Sequence, residues 1–292
     1  MDIKDFYLNS NLEDYECMFI NVNLMPTKCT QDYDLNSISK NGKVLTEIRK
    51  GTCGLHQVGK IAYEDLKQHL KPYGCVPTKH APGLWRYITT NLTVTLIVDD
   101  FGVKYENIEQ VKHLIHALKQ KYEITVDWAE TLYAGVSLDW DYVKRTVKLS
   151  ISGCIKKVLI KHAHPAPNRN QHSPRQPEPI VYGAHKSSTT LDTGKDLTKD
   201  EKLMFQSILG SLLCYGRMID SAILTAINDL SISQTKATTT SRHHMNTLLD
   251  YFHTNPNAST LCRKADMIIK AHSDGSYLSV QGSRSRAAEH FY

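Results

Sequence analysis

The sequence predicts an α+β fold: an antiparallel sheet with helices on one face, followed by a helical part and a short region of strands. Paired stretches of alternating, β-branched residues at 91–104 and 132–150 indicate two hairpins. An amphipathic helical pattern at 108–118 separates them, and this order is typical of an antiparallel sheet covered by helices. From residue 198 onwards the apolar spacing becomes helical.

The elements before residue 164 can be placed individually. The first hairpin joins NLTVTLIV to FGVKY, and we expect Asp99 and Asp100 at its tip. The second hairpin joins LYAGVSLDW to TVKLSI through a polar turn. A short helix at 153–163 should bury Ile155 and Leu159 and direct its lysines to the other side.

A proline-rich segment at 164–198 divides the chain. It holds five of the ten prolines and runs into SSTTLDTGKDLT, so we expect an extended connection. Beyond it, Thr198 and Glu201 form a capping box, and helices should run to about residue 230 and again from about residue 241. The last 25 residues return to a strand pattern. We therefore predict domains at 1–150, 151–260 and 265–292.

The composition excludes several classes of protein. The chain has 292 residues, of which 41% are hydrophobic and 22% charged, and no stretch approaches the roughly 18 consecutive apolar residues of a membrane span. The opening MDIKDFYLNS carries acids where a secretory signal needs lysines and an apolar stretch. Seven scattered cysteines form no C-x-x-C pair. We therefore expect an intracellular protein that is neither secreted nor bound to a membrane.

Positive charge is concentrated in one segment. The stretch 142–177 holds eight basic residues and no acid, a formal charge of +8, whereas the whole chain carries +5. A basic stripe on a nearly neutral body suggests contact with a polyanion, and a solvated lysine face is the alternative interpretation.

The acids Asp99 and Asp100 suggest a chemistry. A third carboxylate from a neighbouring strand would complete a set of hard oxygen ligands suited to Mg²⁺. Two such ions can activate a 3′-hydroxyl and neutralise a leaving pyrophosphate. An Asp-Asp pair at a hairpin tip also occurs for turn reasons alone.

Several blocks in a fixed order carry a family resemblance. The chain contains MDIKDFYLNSNL, GTCGLHQVGK, TLIVDDFGVKY and YAGVSLDWDY, and later RMIDSAI, LLDYFHTNPNA and AHSDGSYLS. Together they resemble the reverse transcriptase of copia-type LTR retrotransposons over nearly the whole chain. The resemblance implies palm (1–150), thumb (151–260) and the start of RNase H (265–292).

The resemblance also implies roles for individual residues. Asp2 and Asp99 match the catalytic aspartates that bind two Mg²⁺ ions, or Mn²⁺ in their place, and Asp100 matches the companion of the pair. Tyr7 matches the aromatic residue that selects deoxynucleotides, and Gln57 matches the glutamine of the nucleotide and template pocket.

Further positions match the parts that hold nucleic acid. The primer grip corresponds to Tyr133, Ala134 and Gly135. The duplex backbone should pass the basic residues Lys144, Arg145, Lys148, Lys156, Lys157 and Lys161. The implied partners are an RNA/DNA template–primer duplex, dNTPs and the remainder of a Pol polyprotein with integrase, protease and RNase H. The implied location is a cytoplasmic particle or the nucleus.

The sequence departs from the family pattern at both ends and at two internal positions. Ile97 replaces a tyrosine, and Lys60 replaces a common arginine. Met1 directly precedes Asp2, so we expect the fingers to be largely missing. Asp274 matches the first carboxylate of RNase H, but the later acids do not follow. We therefore expect that residues 1–292 alone do not extend a primer.

Three interpretations remain open from the sequence. The first is a fragment of an RNA-directed DNA polymerase. The second is a catalytically dead retroelement remnant that at most binds nucleic acid through 142–177. The third is an unrelated α+β protein with fortuitous acids. Asp192 also begins a D-T-G triplet like that of aspartic proteases, but it lies in the polar connection and occurs once.

Overall fold

A computed structural model of the chain describes residues 1–176, 192–266, 268–280 and 284–291. The chain divides into two compact units, Met1–Ala134 and Gly135–Tyr292. Helices and antiparallel sheets occur together, as the sequence predicts. Among the described residues, no helix combines the length and the apolar character needed to cross a bilayer.

The first unit is built on a six-stranded sheet. Its elements in chain order are β1 (Asp2–Ile3), β2 (Asn11–Asn21), α1 (Thr27–Asp32), α2 (Leu35–Ile38), β3 (Lys43–Lys50), α3 (Val58–Leu70), β4 (Cys75–Pro77), β5 (Leu84–Tyr87), β6 (Thr93–Ile97), β7 (Asp100–Lys104), α4 (Ile108–Lys119), β8 (Ile124–Thr125) and β9 (Leu132–Tyr133). The sheet order is β4-β5-β6-β7-β1-β8, and neighbouring strands are antiparallel. Strands β2 and β3 form a separate two-stranded ribbon.

One face of the six-stranded sheet is buried. Val94, Leu96 and Phe101 alternate towards it and share a core with α3 and α4. The helix α3 contributes Ala62, Leu66 and Leu70 at a spacing of four residues. The helix α4 starts at Asn107, whose side chain accepts the backbone N–H of Glu109. The predicted helix at 108–118 is confirmed.

The second unit combines helices with antiparallel strands. Its elements are β10 (Val136–Asp141), β11 (Thr146–Ser150), α5 (Cys154–Lys161), α6 (Lys199–Met218), α7 (Leu224–Ser233), α8 (Thr239–Thr254), β12 (Thr260–Arg263), β13 (Ala271–Val280) and β14 (Arg284–Phe291). Strands β10, β11 and β12 are paired antiparallel, and β13 pairs with β14. The core contains Ile155, Leu212, Tyr215, Leu248 and Phe252.

Several local predictions are confirmed in this unit. The Thr198 hydroxyl accepts the Glu201 N–H while the Glu201 carboxylate accepts the Thr198 N–H, which is the predicted capping box. The helix α5 buries Ile155 and Leu159, and its lysines are exposed. Towards the C-terminus, the described residues include the strand β12 and, within the last 25 residues, the strands β13 and β14, as the strand pattern there predicts.

The described part of the predicted connection makes specific contacts. The Gln171 N–H donates to Thr254 Oγ1 at 2.9 Å, and Gln176 Nε2 donates to Thr247 Oγ1 at 2.8 Å. Both acceptors belong to α8, so residues 171–176 are hydrogen-bonded to that helix. Residues 177–191 of the predicted connection lie outside the described residues.

Candidate active site and nucleic-acid surface

Two of the predicted catalytic acids lie directly opposite each other on neighbouring strands. Asp2 of β1 is the cross-strand partner of Asp100 of β7. Met1 and Phe101 exchange backbone hydrogen bonds on one side of this pair, at 2.9 and 2.7 Å, and the Ile3 N–H donates to the Asp99 carbonyl on the other, at 3.1 Å. The pair is therefore of the type without hydrogen bonds between its own members, in which facing side chains come closest.

The two carboxylates project from the face of the sheet opposite the helices. Leu96 pairs with Phe101 and points into the core, so Asp100, one residue away, points outwards. Ile3 is buried, and Asp2 beside it points outwards for the same reason. Asp2 and Asp100, which are far apart in the sequence, therefore lie together on the face of the sheet opposite the helices.

A tight turn precedes Asp100. Only Val98 and Asp99 separate β6 from β7, so Asp99 lies in the turn and Asp100 is the first residue of the returning strand. The sequence predicts both acids in the tip of the hairpin. The structure places only Asp99 there, with Asp100 one residue further along. Val98 has φ +59°, a left-handed conformation that favours glycine at the first position of such a turn. A β-branched residue there stores strain of about 1–2 kcal/mol.

The acids perturb one another electrostatically. Burial raises the pKa of Asp2, and the negative charge of Asp99 raises it further, against the opposing effect of the Met1 α-amino group. Burial likewise raises the pKa of Asp100, followed by the charges of Asp2 and Asp99, while the Met1 amino group and the Ala134 N–H lower it. The three carboxylates therefore form one cluster of like charge.

The chemistry of this cluster suits a divalent cation. Its donors are all carboxylate oxygens, the type that Mg²⁺ and Mn²⁺ prefer, and their mutual repulsion is what a cation relieves. Across the part of the chain that the structure describes, no three His, Cys, Asp or Glu side chains are arranged as ligands of a single ion. Asp2, Asp99 and Asp100 would be the residues to hold one.

Two residues of the predicted primer grip adjoin this cluster. Tyr133 donates its hydroxyl to Thr95 Oγ1 at 2.9 Å, and the Ala134 N–H bonds to the Asp100 carboxylate. Gly102 leaves room for the tyrosine ring, because a methyl group there would lie 3.2 Å from that ring and 2.5 Å from Thr95 Oγ1. Gly135, with φ +77°, begins the second unit.

An open pocket of about 370 Å³ lies beside the turn. Tyr7, Tyr63, Leu96 and Val98 contribute to its walls, together with Lys60. Lys60 forms no ion pair within the described residues, so its charge is available to an anion. The dimensions fall within the usual range for small-molecule sites, about 300–1,000 Å³.

The backbone fixes Tyr7 at this pocket. A methyl group on Gly51 would lie 2.5 Å from the Tyr7 carbonyl oxygen, so only glycine allows this close approach. Gln57 lies just before α3, and its side chain donates to Glu16 Oε1 at 2.9 Å. Gln57 is not among the pocket walls.

The predicted basic residues fall on two elements of the second unit. Lys156, Lys157 and Lys161 are exposed on α5, and Lys161 reaches Ser207 Oγ at 3.3 Å. Lys144 and Arg145 lie in the turn of the β10–β11 hairpin, and Lys148 faces Asp139 in the strand register.

Sequence reasoning missed two further cations at that hairpin. Strand β12 pairs with β11 so that Arg263 lies opposite Thr146, and the Lys264 N–H donates to the Arg145 carbonyl at 3.0 Å. Both side chains are exposed. Their distance along the chain gives no local signal, because only the strand pairing brings them to the turn.

The remaining candidate acids have structural or isolated positions. Asp274 in β13 accepts the Gly275 N–H at 2.9 Å and lies opposite Ala288. Asp192 accepts hydrogen bonds from the Thr238 hydroxyl and the Gly194 N–H, and these bonds lower its pKa. Because Thr238 is the N-cap of α8, Asp192 supports the start of that helix.

No protein-family model matches this chain, and no solved structure matches it at a significant level.

Proposed function

We propose that this chain is the palm and thumb part of an RNA-directed DNA polymerase of the copia type. The observation that carries the proposal is the direct opposition of Asp2 and Asp100, with Asp99 in the adjoining turn. The motif resemblance selects these same acids independently of their spatial arrangement. The reaction would transfer a nucleotide from a dNTP to a primer 3′-hydroxyl.

The chain's own residues have definite parts in this proposal. Asp2 and Asp99, with Asp100, would hold two Mg²⁺ ions, or Mn²⁺, and bound metal would supply charge neutralisation and an activated hydroxyl. Lys60 would attract the triphosphate, and Tyr7 would border the sugar. Tyr133 and Ala134 would support the primer end next to Asp100. Gln57 belongs to the proposal only through the resemblance, since its side chain bonds to Glu16.

Metal binding tests the core of the proposal directly. Titration with Mn²⁺, followed by electron paramagnetic resonance, should show binding to the chain that Mg²⁺ displaces and that Asp99→Asn weakens at least tenfold. Asp274→Asn is the matched control, because this exposed acid has no neighbouring acid opposite it. Equal Mn²⁺ affinity in the chain, Asp2→Asn and Asp99→Asn would contradict the proposal.

Primer extension tests the proposed polymerase activity. An RNA template with a DNA primer, dNTPs and Mg²⁺ provides the assay, and any synthesis must disappear in Asp99→Asn. The resemblance-based expectation that residues 1–292 alone give no extension stays a prediction that the same assay checks.

A second candidate function is binding of nucleic acid without catalysis. The exposed lysines of α5 favour it, because phosphate contacts require neither metal nor the pocket. Replacing Lys156, Lys157 and Lys161 by Gln should weaken duplex binding similarly for all sequences and reduce its salt dependence. An unchanged slope of log affinity against log salt would assign these lysines to solvation alone.

A further inference from the structure

The turn end of the β10–β11 hairpin carries a stacked aromatic pair. The rings of Trp140 and Tyr142 lie 5.7 Å apart at an interplanar angle of 10°. They are 43% and 68% exposed, and Val143 beside them is 95% exposed. A preformed stack of two rings with this much open surface offers a flat platform of the kind on which unpaired bases stack.

The same end of the hairpin has a surplus of positive charge. Asp141 is neutralised by Lys144, whose Nζ lies 3.0 Å away, and Asp139 faces Lys148 in the register. Arg145, Arg263 and Lys264 are exposed and form no ion pair within the described part of the chain. Three cations therefore remain to attract phosphate.

We infer that this hairpin end binds single-stranded nucleic acid, with a base stacked on the Trp140–Tyr142 pair and phosphates held by Arg145, Arg263 and Lys264. The inference deepens the proposed contact of 142–177 with nucleic acid and rests on it. Its new content is a site for an unpaired base, which a uniform basic surface does not provide.

A single strand fits this arrangement better than a duplex. In a duplex the base faces are stacked on each other, so an aromatic side chain can reach them only after unstacking. In a single strand each base presents a free π-face, and stacking tolerates any base. The phosphates of that strand would then pass the turn end of the hairpin, where Arg145 lies in the turn and Arg263 and Lys264 adjoin it through the pairing of β12 with β11.

Fluorescence anisotropy with labelled dT12 tests the inference on the whole chain, without metal or dNTP. Tyr142→Ala should weaken binding about tenfold, whereas Tyr142→Phe should bind like the unmodified chain, because phenylalanine keeps the stacking ring. The dT12·dA12 duplex should bind with the same affinity to all three. Binding of dT12 that is insensitive to Tyr142→Ala would overturn the inference.

Salt dependence tests the three cations. The triple variant Arg145→Asn, Arg263→Gln, Lys264→Gln should reduce the slope of log affinity for dT12 against log salt by about 2, since each single-strand phosphate contact contributes about 0.7. Asparagine is chosen at position 145 because Arg145 has φ +55° and asparagine tolerates that conformation. The matched control neutralises the exposed Lys28, Lys79 and Lys119 of the first unit and should leave the slope unchanged.

A further readout separates loss of the site from loss of folding or of the proposed function. Binding of dT12 should quench tryptophan emission, and Trp140→Phe should remove that quenching while dT12 still binds. Asp274→Asn, which changes an exposed acid outside both sites, should bind dT12 normally. If duplex binding survives but dT12 shows neither quenching nor sensitivity to Tyr142→Ala, this inference fails and the proposed function stands. If neither nucleic acid binds, the proposed contact itself fails.

Discussion

The chain contains two short hairpins whose turns carry opposite charge. The β6–β7 hairpin places Asp99 in its turn and Asp100 at the start of the returning strand. The β10–β11 hairpin places Lys144 and Arg145 in its turn. Both use a left-handed residue that is not glycine, Val98 in the first and Arg145 in the second. The two turns, of two and four residues, therefore present surfaces for cations in one case and for anions in the other.

The hairpins differ in what supports them. The acidic hairpin lies inside a six-stranded sheet, has a buried face, and its acids repel a third carboxylate across the next strand. The basic hairpin ends in exposed side chains, and its one acid in the turn region is already satisfied by Lys144. A bound cation would relieve the repulsion among the acids, whereas the exposed cations of the basic hairpin suit the proposed contact with phosphates.

The largest expected effect comes from crowding the acidic hairpin. Gly102→Ala places a methyl group 2.5 Å from Thr95 Oγ1. Because Thr95 must then change its rotamer and lose the Tyr133 hydroxyl, we expect a loss of about 1–3 kcal/mol in the free energy of unfolding, measured by urea denaturation. Adding Thr95→Ala should recover part of that loss.

Gly210→Ala in α6 is the matched control for Gly102→Ala. No atom lies within 4 Å of the added methyl group there, so the helix should gain about 0.5–1 kcal/mol. Equal effects at both glycines would show that the contact between Tyr133 and the strand is unimportant.

Relief of the strain at Val98 should change the free energy of unfolding by a smaller amount and in the opposite direction to Gly102→Ala. Val98→Gly should raise the free energy of unfolding by about 0.5–1 kcal/mol, because relief of the left-handed valine exceeds the entropy that glycine adds to the unfolded chain. Val98 is 49% exposed, so little buried area is lost. Arg145→Gly should stabilise less, since arginine is not β-branched. A destabilising Val98→Gly, measured in urea, would contradict the assignment of strain to this turn.

Much of the fold could be predicted from the sequence because its signals are local. The capping box of Thr198 and Glu201 and the buried side of α5 depend on spacings of three or four residues. The two hairpins follow from alternation and intervening turn residues.

The site was only partly predictable, since strand pairing and backbone conformation are not local signals. Asp2 faces Asp100 because β1 pairs with β7, and no local sequence pattern predicts that pairing. Asp2 is a candidate from the sequence only through the family resemblance. Arg263 joins the basic hairpin through the same kind of pairing. The strain at Val98 could not be foreseen, because a β-branched residue normally avoids φ near +60°.

Removing one charge from the acidic cluster should stabilise the protein slightly at neutral pH. The pKa of Asp100 is raised in the folded state, so the folded chain binds more protons than the unfolded chain between its ordinary pKa of 3.8 and its raised value. Stability therefore falls as pH rises through this window, and the penalty persists at pH 7. Asn at position 100 keeps a side-chain acceptor for the Ala134 N–H.

We expect Asp100→Asn to gain about 0.2–0.5 kcal/mol at pH 7, the low end for facing like charges because solvent screens the pair. The charge-related gain should vanish below pH 3.8, where both states are protonated. Millimolar Mg²⁺ should stabilise the unmodified chain more than the variant. A variant that is less stable at pH 7 than the unmodified chain would contradict the repulsion.

The smallest expected effect is a difference in pKa between the acids of the two hairpins, and it compares the hairpins most directly. Backbone N–H and side-chain bonds from Lys144 lower the pKa of Asp141, whereas burial and neighbouring carboxylates raise the pKa of Asp2 and Asp100. Carboxyl ¹³C NMR during a pH titration should therefore show Asp141 ionising first and the other two later. Mg²⁺ should lower the apparent pKa of Asp2 and Asp100, because a bound cation favours the ionised form, and should leave Asp141 unchanged since its partner is already cationic. If Mg²⁺ shifts the apparent pKa of Asp100 and Asp141 equally, the ion only screens surface charge. The acidic hairpin would then have no preference for the ion over the basic hairpin.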